Sequence, residues 1–278
     1  MKNIEVSKIV VPISTSDGAG VKLKRSIGLE PNYFDPFLML DEFGSENKDD
    51  YIAGFPPHPH RGIETVTYML AGDFEHEDST GGKGRMSAGD VQWMKTGSGI
   101  IHSEMPAMKE GKLHGFQLWI NMPASKKMSK PEYYYIDADK MGSHKDEDKF
   151  VKVIAGKFEN TVGPVKGHNV EPFYFDVELN KDKEFNFRLP STHNSFIYLI
   201  NGEIKIGEKK HEKVKDSTLI LLSKGEDLKV RAKFDAKFLV ISGKPINEEI
   251  ARGGPFVMNT KAEILKAVQD YHNDTFVK

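Results

Sequence analysis

Hydrophobic and polar positions alternate in short runs through the first 240 residues, and Gly, Asp, Asn and Pro separate the runs. Residues 63–70 (Ile-Glu-Thr-Val-Thr-Tyr-Met-Leu) are rich in β-branched and aromatic side chains and are closed by Ala71-Gly72-Asp73. Residues 91–94, 115–120, 173–179, 195–200 and 237–242 follow the same pattern. Many short strands with turn chemistry between them predict β-sandwiches or barrels. Helical spacing is evident at the end of the chain. Thr260 and Glu263 form a capping-box pattern, and Ile264, Leu265, Val268 and Tyr271 follow as an apolar stripe expected to pack on a barrel.

At 278 residues the chain is long enough for two cores of ordinary size. The charged stretch 137–148 divides it near the middle and reads as the connection between two β domains. The 39 basic and 41 acidic side chains leave a formal charge of -2, so neither direct nucleic-acid binding nor an acidic tail is expected. The apolar run 218–222 is strand-length and far short of a membrane span, and the first five residues lack the apolar core of a signal peptide. A soluble, cytoplasmic protein is the expectation. With no cysteine there is no disulfide, thiolate ligand or thiol nucleophile, and any metal must be held by nitrogen and oxygen.

The histidines change the picture most. Five of ten fall between residues 58 and 114, and three belong to two compact motifs, His58-Pro-His60-Arg-Gly-Ile-Glu64 and Gly97-Ser-Gly99-Ile-Ile-His102-Ser-Glu104. Residues two apart on a strand face the same side of a sheet, so His58 pairs with His60, and His102 with Glu104. Two such pairs on facing or adjacent strands bring four donors to one point, within reach of the roughly 2.0–2.2 Å bonds a first-row metal requires. A lone His-x-His is weak evidence, because surface pairs produce it too. Two pairs joined through glycine-rich turns favour a metal. Gly81–Gly84 and Gly97–Gly99 fit no phosphate-loop spacing and read as hairpin turns.

The spacing Gly54-x3-His58-x-His60-x3-Glu64-x7-Gly72, followed by Gly89-Asp90 and His102, resembles the two-part cupin signature. The chain is more closely similar to the pirins, a bicupin family. The likeness is carried by residues 37–43, 58–62, 89–94, 102–106, 114–119 and 252–259, nearly the whole chain in order. It implies an all-β protein with two cupin (jelly-roll) β-barrels in tandem and a short C-terminal helix. The expected division is a metal-binding barrel over residues 1–136, a barrel without metal ligands over 149–258, and the helix and tail over 259–278.

The resemblance further implies one divalent transition metal, usually iron, held by His58, His60, His102 and Glu104. Three imidazoles and a carboxylate also accept Mn, Co, Ni, Cu or Zn. A closed, structural zinc is the blander alternative, and a barrel of this size does not need one to fold. The wider cupin pattern would use Glu64, which is kept as an alternative ligand or as a residue behind the ligands. His114 is a candidate hydrogen-bond partner of a ligand, with the parity of Phe116 and Leu118. Pirins implicate a quercetin 2,3-dioxygenase activity, in which a flavonol and O2 react, the ring opens and CO leaves, with Glu104 as catalytic base. The competing expectation is a non-enzymatic, iron-dependent regulator acting through protein partners. Pirins are commonly monomers, so a monomer is expected.

The second half serves as an internal control. Aligning residues 68–72 with 198–202 puts Arg188, Pro190 and Asn194 where His58, His60 and Glu64 stand, and Leu228 and Val230 fall where His102 and Glu104 stand. No ligand survives, and His168, His193 and His211 read as ordinary hydrogen-bonded residues. Arg252-Gly-Gly-Pro255 shows no chemistry of its own and is expected to fix the approach of the terminal helix.

Overall fold

The computed structural model describes residues 2–28, 34–209, 211 and 213–277. The chain forms two compact β units. The first is built on residues 13–32, 37–138 and 246–278, the second on 1–12, 33–36 and 139–245. The residues from 246 to 258 therefore group with the histidine-bearing unit, whereas the sequence reading ran the second barrel on to 258.

In the histidine-bearing unit a seven-stranded antiparallel sheet runs in the order Glu132–Ile136, Val91–Lys95, Ile63–Ala71, Leu113–Asn121, Phe37–Ser45, Val21–Ile27, Ile13–Asp17. A four-stranded sheet packs against it in the order Phe55–His60, Ile100–Pro106, Phe74–Asp78, Lys83–Met86. Leu23, Phe43 and Met69 from the first sheet meet Phe74 and Met86 from the second in one apolar cluster. This is the two-sheet closure of a jelly roll, which leaves few unpaired edges. Gly81 and Gly82 make the turn between Phe74–Asp78 and Lys83–Met86, as their spacing suggested.

The second unit repeats the plan. Seven strands run in the order Val6–Val10, Thr218–Leu222, Asn194–Asn201, Ala236–Gly243, Phe173–Leu179, Lys149–Ala155, Gly142–Lys145. Three more, Glu184–Arg188, Asp227–Ala232 and Ile204–Ile206, form its smaller sheet. Phe185, Val230, Phe238 and Val240 are fully enclosed in its core. Part of the stretch read as a connection, Gly142–Lys145, is thus a strand, paired to Lys149–Ala155 through a tight turn anchored by Asp146.

The helix Lys261–His272 starts at Thr260 with both capping-box bonds in place. Its buried face is Ala267, with Ile264 and Val268 against Phe256 and Phe276. Leu265, expected in the apolar stripe, is 64% exposed. It stands one residue, about 100° of rotation, off the packed face, and Ala267 takes the central place instead. No helix of the described residues is long and apolar enough to cross a membrane.

Candidate metal centre

Strands Phe55–His60 and Ile100–Pro106 are hydrogen-bonded neighbours, with His58 opposite His102 and Ile100 opposite His60. That register joins the two motifs. The ring centroids of His58 and His102 are 4.4 Å apart, those of His58 and His60 4.8 Å, and those of His60 and His102 5.1 Å. One nitrogen from each ring lies within 4.8 Å of the others. His60 and His102 are buried, and His58 stands partly open to the cavity in front.

Two close approaches hold the histidine-bearing strands in place. Gly62, just after His60, adopts φ 82°, and a Cβ there would collide with the Val257 carbonyl oxygen. Gly99, just before strand Ile100–Pro106, adopts φ 141° with the Phe276 ring pressed against it. Both positions require glycine. Arg61, buried between them, donates to Ser98 O at 2.6 Å and to Asp270 Oδ2 at 2.8 Å. Lys127 Nζ donates to Gly62 O, Asn121 Oδ1 and Val257 O at 2.7–2.9 Å.

The hydrogen bonds of the rings decide which nitrogens are available. His58 Nδ1 donates to Pro56 O at 2.8 Å, and His60 Nδ1 to Pro255 O at 3.3 Å, so Nε2 is left on each for coordination. His102 has neither ring nitrogen partnered although the ring is buried. A buried unpartnered imidazole is costly, and a metal ion removes that cost. Burial, then the neighbouring rings, holds the His102 pKa well below the usual value. Burial and the nearby His58 push His60 down to about 3. Both rings are neutral at pH 7, the form a metal binds.

Glu104 is buried on the same strand and lines the same cavity as His58 and His60, but its carboxylate is not part of the imidazole cluster. Its Oε1 accepts from Thr67 Oγ1 at 2.8 Å and its Oε2 from Gln117 Nε2 at 3.4 Å. The register against the neighbouring strand Phe55–His60 shifts between His102 and Glu104.

Glu64 does not reach the histidines. Thr67 and Gln117 fix the inward face of their strands, and Glu64 has the opposite parity to Thr67. A one-residue offset moves a side chain to the other face of the sheet. There Glu64 Oε2 accepts the indole N–H of Trp93 at 2.6 Å. His114 has the parity of Phe116 rather than Gln117 and bonds Glu42 Oε1 at 2.9 Å, away from the rings. Neither fills the supporting role expected of it.

That role falls to residues the sequence reading passed over. Thr67 and Gln117 hold Glu104, and Trp119 lies edge-on to His60 with centroids 5.0 Å apart. His76 approaches His102 at 5.4 Å, but Gln92 Nε2 donates to its Nδ1 and its Nε2 donates to Asp78 Oδ2, each at 2.9 Å. With both nitrogens used, His76 is a supporting ring and not a ligand. The alternation His76-x-Asp78 within strand Phe74–Asp78 was the available signal.

In front of the histidines lies a cavity of about 600 Å³, walled by Met39, Phe43, Phe55 and Trp119 and carrying Arg25 and Arg252. The three imidazoles and the nearby carboxylate suit one divalent transition metal with positions left for a ligand.

Residues 20–120 match the Pirin family model and residues 174–277 the Pirin C-terminal cupin domain. A Caulobacter vibrioides pirin-like protein is 42% identical, with 98% of each chain covered. A Vibrio cholerae protein provisionally named as a quercetin 2,3-dioxygenase is 41% identical over 99% of this chain and 98% of its own. Human pirin is 37% identical over 97% of this chain and 92% of its own. Among solved structures, a quercetin 2,3-dioxygenase from Acinetobacter baumannii superposes with a TM-score of 0.88 at 30% identity, covering 99% of both chains. The bacterial pirin YhhW from Escherichia coli, solved with nickel(II), shares the fold at a TM-score of 0.66 and 23% identity, covering 87% of this chain and 99% of its own. With two jelly-roll units and a match to both family models, the chain belongs to the pirin family of bicupin proteins.

Proposed function

We propose that the histidine-bearing unit binds one divalent transition metal, iron in the first instance, through His58, His60, His102 and Glu104, and that it opens flavonols with dioxygen, releasing carbon monoxide. The observation that carries this reading is the buried His102 ring, both nitrogens unpartnered, within a cluster of three imidazoles. The name of the 41%-identical Vibrio cholerae relative and that of the Acinetobacter baumannii structure support the choice of chemistry.

Bound there, the metal supplies Lewis acidity toward a hydroxyl group and an electron route to dioxygen. The chain does the rest. His58 and His60 present Nε2 because backbone carbonyls hold their Nδ1–H groups. Glu104 takes the proton of the substrate's 3-hydroxyl as general base. Thr67 and Gln117 orient its carboxylate for that transfer. Phe43, Phe55 and Trp119 flank a planar ring system and keep bulk water from the reacting face.

The test is anaerobic reconstitution of the full chain with Fe(II), followed by addition of quercetin and oxygen and detection of carbon monoxide. Release by the wild type, lost in His58→Ala and Glu104→Ala, is expected. Metal bound without carbon monoxide, together with affinity for a protein partner that changes on oxidation, would replace this reading with that of a regulator.

A further inference from the structure

The hairpin formed by Ala251–Gly253 and Phe256–Met258 lies over the cavity, although its Arg-Gly-Gly-Pro sequence has no part in the chemistry above. Pro255 contributes the carbonyl that holds His60, and Arg252 lines the cavity wall. The Arg252 guanidinium carbon stands 5.6 Å from the centroid of the Trp119 ring, and that ring meets His60 at 5.0 Å. Arg252, Trp119 and His60 thus form a continuous wall from the hairpin to the cluster.

Arg252 is only partly satisfied. Its Nη1 donates to Gly28 O at 3.1 Å and Leu38 O at 3.3 Å, and its Nε has no partner. None of the ion pairs found among the described residues gives it a carboxylate. Of the three acids of the same cavity, Asp17 and Asp41 are taken by Arg25 at 2.8 and 2.6 Å, and Glu104 is held by Thr67 and Gln117. The charge that Arg252 feels most is Arg25, and desolvation and that repulsion lower its pKa. A half-buried guanidinium beside another, its acids already engaged, stands ready for an oxyanion.

We propose that Arg252 is an anion subsite, and that the cavity takes a planar aromatic ligand whose oxyanion, an aryl carboxylate or an ionised phenol, lies against Arg252. The aromatic part stacks in the slot formed by Trp119, Phe43 and Phe55, with the other end toward the histidines. This deepens the proposed function by naming the substrate class, and it rests on the cavity being the site of that function.

The experiment measures binding without turnover. The full chain is loaded with Zn(II), which does not change oxidation state, and tryptophan fluorescence follows titration with naphthalene-2-carboxylate, its neutral isostere 2-naphthamide, and 2-naphthol below and above its ionisation. The wild type is expected to bind the carboxylate about tenfold more tightly than the amide. Arg252→Gln is expected to remove that preference while the amide still binds with unchanged affinity, and Arg252→Lys to retain most of it. Tighter binding of 2-naphthol on ionisation, lost in Arg252→Gln, identifies phenols as the natural source of the charge; a preference confined to the carboxylate identifies aryl acids. Equal wild-type affinity for carboxylate and amide overturns the proposal even where Arg252→Gln fails to fold. So does a carboxylate preference that survives in Arg252→Gln, since the metal would then be holding the anion. Failure of carbon monoxide release leaves these outcomes unaffected, so the subsite and the oxygen chemistry fail separately.

Discussion

The two β units pair corresponding strands in the same way and fill the space between their sheets differently. In one, Phe55–His60 runs antiparallel to Ile100–Pro106 and sets His58 opposite His102. In the other, Glu184–Arg188 runs antiparallel to Asp227–Ala232 and sets Phe187 opposite Leu228 and Phe185 opposite Val230. The inward face of the second pair is hydrocarbon, with Leu228, Val230 and Phe185 enclosed and Phe187 packed against them. The first keeps an apolar cluster around Phe43, Met69 and Phe74, and gives the rest of its interior to imidazoles, a carboxylate and their donors. The ladder is therefore indifferent to what it encloses. The same strand pair closes over hydrocarbon in the second unit, so the ladder itself does not require the imidazoles that the first unit places there.

Three substitutions put that contrast under strain. The largest effect is expected from Phe185→Ala in the second unit, which removes a fully buried ring and should cost about 3–5 kcal/mol in denaturant unfolding while leaving the metal content of folded protein unchanged. Loss of metal from folded Phe185→Ala would show that the units do not divide the work as described. Next, Thr67→Val keeps the shape of the side chain and removes the hydroxyl that donates to Glu104. Metal affinity, read by competition with a chelating dye, should fall roughly 10- to 100-fold, as for other hydrogen-bond partners of metal ligands. An unchanged affinity would take Glu104 out of the ligand set. The smallest shift is expected from His102→Leu, which carries the solution used at Leu228 into the first unit. Removing two orphaned nitrogens should stabilise the metal-free protein by roughly 1 kcal/mol, measured by denaturation in chelator, while it destroys the metal site. Destabilisation would mean that His102 has a packing role of its own.

How far the sequence led differs by feature. Strands at 63–71, 91–95, 173–179 and 218–222 were legible because β-branched and aromatic side chains cluster there between turn residues. The capping box was legible because it is a local contact between Thr260 and Glu263. The histidine cluster was legible because its two halves each obey strand parity, and the ladder needed only to bring them side by side. Parity without an origin is ambiguous, however. Nothing in the order of residues 63–71 says whether Glu64 or Thr65 faces the histidines, and that ambiguity misplaced both Glu64 and His114. The supporting residues Thr67, Gln117 and His76 were hidden for another reason. They meet Glu104 and Gln92 across separations of 13 to 37 residues, through contacts that register alone decides. The role of the 252–255 hairpin was likewise invisible, because Arg252 and Pro255 meet the cavity only once residues 246–278 join the unit formed by 13–32 and 37–138.

The most direct test of the metal centre is elemental analysis of the 278-residue chain after anaerobic loading with Fe(II) and removal of free metal, wild type beside His102→Leu. The account predicts about one ion per wild-type chain and none retained by the folded variant. A wild type that retains no divalent metal, or a His102→Leu protein that retains a full equivalent, would contradict it.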